Sequence, residues 1–101
     1  LRAEDPEQDG GAGQRVTGVA IAVAMGAREV EVSAVVEGSR AARSGLRVGD
    51  QLIEIDDMPV NSPGEARSML RGAEGVAAIL RIRRGRQERL IQVVRERYSQ
   101  P

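Results

Sequence analysis

No cysteine, histidine, lysine, tryptophan or phenylalanine occurs in these 101 residues. Without Cys or His there is no zinc site of the usual ligand types, no thiol catalysis and no Ser-His or Cys-His arrangement. Without Lys, a Ser-Lys dyad, a Schiff base and a phosphate-binding P-loop are excluded as well. All 15 basic residues are therefore Arg, balanced by 15 acidic ones, and Tyr98 is the single aromatic. Neither an electrostatic funnel for phosphates nor a stacking platform for bases is present, so nucleic acid is not an expected partner. A pair of carboxylates is the catalytic option left. Asp56 and Asp57 are adjacent, but neighbours in a strand point to opposite faces, and in a turn such a pair is solvated. No enzymatic activity, metal or cofactor is expected of this chain. The lack of cysteine assigns no redox compartment, because an envelope protein need not carry disulfides.

Long apolar runs are missing too. The longest, residues 19–25, is far below the roughly 20 residues that cross a bilayer, so no membrane insertion by this chain is expected. Its length suits one compact domain. A start at Leu1 instead of Met is expected of a piece of a longer protein.

What is present falls into a clear order. Residues 1–14 hold five charged side chains, three glycines and a proline, and are expected to form a disordered lead-in. The domain is expected over 15–97, with 98–101 as a tail. Val19, Ile21 and Val23 alternate with alanines, and after the turn at 26–28 residues 29–33 alternate polar with β-branched side chains, which predicts two antiparallel strands. Ser39 caps a short helix over 40–44 that Gly45 ends in a left-handed conformation. Gly49-Asp50 turns the chain into a strand at 51–55, and residues 56–59 turn it again. Ser62, Pro63 and Glu65 then form a capping box for a helix over 63–71 that stops at Gly72. Strands at 76–83 and 87–95 are joined by a glycine-containing hairpin at 84–86. The arginine run Arg81, Arg83, Arg84, Arg86 and Arg89 is read as the solvated side of that hairpin. The fold class predicted is mainly β with two helices, a small antiparallel barrel or sandwich of five to six strands.

Residues 38–56, which run from Gly38-Ser39 through Gly45-Leu46 and Gly49-Asp50 to Ile55-Asp56, resemble the centre of bacterial PDZ domains. Glu65-Ala66, the run from Leu70 to Gly75 and the two closing strands are similar to the PDZ domains of carboxyl-terminal processing proteases and related envelope proteins. The resemblance covers about residues 16–95. Arg40 stands where the family carries Pro, and Asp57 where it carries the Gly of a tight turn.

This resemblance implies a groove that holds the carboxyl end, or an extended segment, of a partner protein. In such domains successive backbone N–H groups form a nest for the ligand carboxylate, and the matching positions here are Gly18, Val19, Ala20 and Ile21. Val19 and Ile21 are expected to share a strand face and floor an apolar pocket. The edge of strand 19–24, with Ala22 and Val23, would pair with the ligand backbone by β-strand addition. Across the groove, Pro63, Arg67 and Leu70 lie on one stripe of the helix facing the ligand, and Ala66, Met69 and Ala73 on an adjacent core stripe. Leu70 is open to either reading, core or pocket. Arg15 would add charge near the carboxylate. Three functions fit: a peptide-binding module with affinity on the order of micromolar, a substrate-recruiting domain of a bacterial serine protease, and a scaffold domain of an envelope secretion or assembly complex. A periplasmic or envelope location follows from the resemblance, and a monomer is expected.

Overall fold

The computed structural model describes residues 14–101, so apart from Gln14 the expected lead-in lies outside the described residues. The chain runs β1 (Arg15–Gly18), β2 (Ile21–Met25), β3 (Val30–Val35), α1 (Arg40–Arg43), β4 (Gln51–Ile55), β5 (Met58–Pro59), α2 (Pro63–Leu70), β6 (Ala77–Arg84), β7 (Gln87–Val94) and β8 (Glu96–Ser99). The main antiparallel sheet has the order β2-β3-β4-β6-β7, with β5 attached to β4, while β1 and β8 form a second, two-stranded sheet. The mainly β fold with two helices is the expected one. It carries three short strands, β1, β5 and β8, that the alternation of side chains does not disclose.

The period of two sorts β3 and β6 into an inner and an outer face, and in β4 a register shift between Leu52 and Glu54 brings Leu52 and Ile55, three residues apart, to the same inner face. Val30 and Val32 of β3, Leu52 and Ile55 of β4 and Leu80 and Ile82 of β6 are each no more than 1% exposed. Ala41 and Leu46 from the α1 region and Ala66 and Leu70 from α2 close the core from the sides. The outer face of the β6–β7 hairpin carries Arg81 and Arg83 of the arginine run, whereas Arg84, expected on the same solvated side, turns instead to the buried Asp50. There Arg81 pairs with Glu54 and Glu88, and Arg83 with Glu29 and Glu88. These are exposed pairs on a solvated sheet face, each worth at most about 1 kcal/mol.

Local chemistry sets the turns. Ser39 caps α1 by accepting from the Ala42 N–H at 3.1 Å, and Gly45, at φ +100°, ends it. Ile55 faces Met58 across a two-residue loop in which Asp56 has φ 50° and Asp57 φ 68°. Two consecutive left-handed residues make this a type I′ hairpin turn, which favours glycine at its second position. Asp57→Gly is therefore expected to raise stability by about 1 kcal/mol, read as a higher denaturation midpoint with an unchanged slope. No gain would mean that Asp57 has local bonds that offset its backbone strain.

The helix that matters for the site is α2. Ser62 Oγ accepts from the Glu65 N–H at 3.1 Å, and Pro63 begins the helix. The Glu65 carboxylate reaches back to the Asn61 N–H at 2.8 Å, one residue before the cap. At the other end the helix stops at Leu70, not at Arg71 as expected. Arg71 is already extended, at φ −74° and ψ 153°, because it pairs as an antiparallel bridge with Gly18. Gly72 adopts no left-handed conformation and donates its N–H to Thr17 O at 3.2 Å. Pairing with β1, not a glycine cap, thus ends α2. Ala73 consequently falls beyond the helix and is exposed, whereas Ala66 is fully buried and Met69 packs against the core.

Residues 98–101, expected as a tail, are partly inside the fold. Val16 pairs with Tyr98 and Arg15 with Ser99 in the β1–β8 ladder, and Tyr98 is 9% exposed. The Gln100 N–H continues the pairing to Gln14 O at 2.8 Å.

Candidate functional site

Because β2 is the last strand of the main sheet, its outer edge has no strand partner among the described residues. Beside that edge lies a cavity of about 390 Å³ between β2 and α2. Ile21, Ala22 and Val23 form one wall, Arg67, Leu70 and Arg71 the opposite one, and Tyr98, Gln100 and Pro101 a third. Ile21, Val23 and Leu70 make part of the lining apolar, and its only charged side chains are the two arginines.

Five of the ten residues singled out from the sequence meet here: Ile21, Ala22, Val23, Arg67 and Leu70. Leu70 belongs to both readings, since it is 4% exposed within the core and still lines the cavity. Pro63 is half-buried at the far end of α2 and does not line the cavity. Arg15 is exposed on β1 opposite Ser99 and does not line it either.

The loop Gly18 to Ile21 differs from expectation in a specific way. Val19 and Ile21 do not share a strand face, because the Ile21 N–H donates to Val19 O at 2.8 Å and closes a three-residue turn between them. Val19 is sealed in the core at 0% exposure, and only Ile21 reaches the cavity. The N–H of Val19 is also engaged, donating to Leu70 O at 3.2 Å. Of the expected nest, the Ala20 N–H alone has no acceptor among the described residues. The Ala20 carbonyl accepts from Val36 N–H at 3.0 Å, which fixes the loop against β3.

Gly18 serves close approach, not positive φ. A Cβ built on it would lie 2.6 Å from Leu70 O and 3.0 Å from the Arg71 Cα, both backbone atoms. Neither can yield without moving the end of α2. Gly18→Ala is expected to cost about 2 kcal/mol and to displace the Leu70 and Arg71 amide resonances more than those of the distant β6–β7 turn. Unchanged amides at the end of α2 would show that the loop, not the helix, gives way.

Four lining residues were not singled out: Arg71, Tyr98, Gln100 and Pro101. Tyr98 had one signal, its standing as the sole aromatic. Burial pushes the Tyr98 hydroxyl above tyrosine's ordinary pKa, against the pull of the neighbouring Arg71 guanidinium, which lowers it. Arg71 donates to Gln100 Oε1 at 3.1 Å, and Gln100 Nε2 donates to Gln14 Oε1 at 3.0 Å.

Comparison with known proteins places the fold. The family model for the PDZ domain matches residues 31–84. The chain is 37% identical over 76 residues to the magnetosome formation protease MamE of Paramagnetospirillum magneticum, a match spanning 72% of this chain and 10% of that protein. A second MamE, from Magnetospirillum gryphiswaldense, is 37% identical over 68 residues, 65% of this chain and 9% of the relative. The chain thus spans about a tenth of the length of the curated relatives it matches. Among solved structures, the PDZ domain of the carboxy-terminal protease of Vibrio cholerae in complex with peptide aligns with a TM-score of 0.69 at 18% identity, over 83% of this chain and 97% of that one. The HtrA3 PDZ domain bound to a phage-derived ligand aligns with a TM-score of 0.65 at 18% identity, over 85% of this chain and 88% of the other.

Proposed function

We propose, for a chain that belongs to the PDZ domain family, that it captures the carboxyl-terminal or extended segment of a partner protein in the groove between β2 and α2. The observation that carries this reading is the unpaired outer edge of β2 lying directly beside the cavity. An extended ligand backbone can continue the sheet there, while its side chains alternate between the apolar floor and solvent. Ile21, Val23 and Leu70 supply the floor, and Arg67 the charge at the rim. The chain itself works as a binding module. The parent protein is then a protease that uses this domain to recruit its substrate, a reading favoured over a pure scaffold by the resemblance to MamE, which is a protease. A periplasmic or envelope location and a monomeric domain complete the proposal.

A two-dimensional NMR titration with short peptides tests it. The largest amide shifts are expected across β2 and at Arg67 and Leu70, and hydrogen exchange of the β2 amides should slow, since strand addition covers that edge. Arg67→Glu should reverse a preference for acidic over basic peptide side chains, and the reversal should shrink as salt is raised. Shifts centred on the hairpin around Gly85, with β2 exchange unchanged, would refute the groove and favour the scaffold.

A further inference from the structure

The groove's charge is one-sided. Arg67 and Arg71 are its only charged lining side chains, they stand four residues apart, and neither is paired with a carboxylate side chain among the described residues. Like charges at that spacing repel and destabilise a helix end slightly. An anion entering between them would relieve this repulsion. The loop of residues 18–21 offers such an anion little, because the Val19 and Ile21 N–H groups are engaged and only that of Ala20 is without an acceptor among the described residues. Arg71, by contrast, is well placed. Its backbone is held by the bridge to Gly18 and by its N–H to Arg67 O at 3.2 Å, so its guanidinium starts from a fixed point next to the loop. That guanidinium now donates to a neutral amide oxygen, Gln100 Oε1, at 3.1 Å.

We propose that Arg71 receives the terminal carboxylate of the bound peptide, displacing Gln100 Oε1, while Arg67, one turn earlier, receives an acidic side chain upstream. The groove then selects peptide ends that carry two negative charges and an apolar terminal side chain. This rests on the peptide-binding reading above. Exchange of the amide for a carboxylate is favourable because a guanidinium–carboxylate bond is roughly twice as strong as one to a neutral oxygen, and it can be made bidentate. Gln100 loses little, since its N–H and Nε2 remain bonded to Gln14.

The test is a double-mutant cycle in which one of the two changes is made in the ligand. The probe is an acetylated six-residue peptide ending glutamate–alanine–valine, with a free or an amidated carboxyl end, titrated by NMR into the parent domain, Arg71→Gln and Gln100→Glu. The parent is expected to bind the free acid about tenfold more tightly than the amide. In Arg71→Gln the two peptides should bind alike, and in Gln100→Glu, where a carboxylate of the chain already occupies Arg71, the advantage of the free acid should also vanish. Full survival of that advantage in both variants would overturn the assignment to Arg71, give the carboxylate to the Ala20 loop, and leave the peptide groove standing. If neither peptide shifts any β2 or α2 amide of the parent, the groove reading falls and this inference with it. Both substituted side chains line the open cavity rather than the core, and their folding is checked by the dispersion of the β6 amides.

Discussion

Arg95→Ala should lower stability by about 3 kcal/mol, as several carbonyls lose their donors at once. Arg95 is only 7% exposed, an unusual place for a charge. Its guanidinium lies between the end of α2 and the start of β6. Nε donates to Leu70 O at 3.1 Å and Nη2 to Met69 O at 3.0 Å, while Nη1 approaches Val76 O and Ala77 O at 3.4 Å each. The last carbonyls of a helix have no partner within it and carry the negative end of its dipole. Arg95 therefore satisfies and neutralises the end of α2 from the core side, while the Val19 N–H holds Leu70 O from the loop side. Gly72 makes room for it, since a Cβ there would lie 2.8 Å from Arg95 Nε. Arg95→Lys should recover only a part, because one ammonium cannot span carbonyls on two elements. Urea denaturation of the three proteins measures this. An Arg95→Ala midpoint equal to the parent's would show that water takes over those bonds.

Asp50→Ala should be more costly, about 4 kcal/mol, because it leaves a cation without its buried partner. Asp50 is 2% exposed and accepts from Arg84 Nε and Nη2, each at 2.8 Å, and from the Arg47 N–H at 2.9 Å. Arg84 Nη2 also donates to Gly45 O at 2.8 Å, so the pair ties the loop after α1 to the end of β6. Burial by itself would raise the Asp50 pKa. The bonds from Arg84 and Arg47 and the charges of both outweigh it and hold the carboxyl below its ordinary 3.8. A folded pKa below the unfolded one means stability that is fully present above pH 3.8 and lost as pH falls through the lowered folded value. Asp50→Asn, which keeps the shape and removes the charge, should therefore show a shallower loss of stability below that pH. An acid slope identical to the parent's would assign the acid sensitivity to other carboxylates.

Much of the groove was legible because its parts are local. Ser62, Pro63 and Glu65 mark the start of α2 within four positions, and the alternation of Ile21, Ala22 and Val23 marks the edge strand. What escaped depends on pairing between distant parts of the chain. β8 spans only Glu96–Ser99, too few positions for alternation to count, and its partner β1 lies at the other end of the domain. Tyr98 and Gln100 were therefore placed in a tail, and with them went one wall of the cavity. The end of α2 was misplaced for the same reason, since the bridge from Arg71 to Gly18 and not a local glycine ends it. Val19 was assigned to the groove by a period of two that the turn from Ile21 to Val19 interrupts. Nor does anything local announce that Arg95, alone among arginines near the chain's end, is buried.

The lone tyrosine makes the domain its own optical instrument. With no Trp, Phe or Cys in the sequence, all aromatic absorption and emission in the near ultraviolet comes from Tyr98, and Tyr98 lines the cavity beside Arg71. Its spectrum needs no deconvolution and no attached dye. A peptide that lodges in the groove, or displaces Gln100, alters the surroundings of the only chromophore present, so a peptide library can be screened by quenching or enhancement in plain buffer. The same signal, followed on heating, reports the separation of β8 from β1 as a single site instead of an average over the molecule.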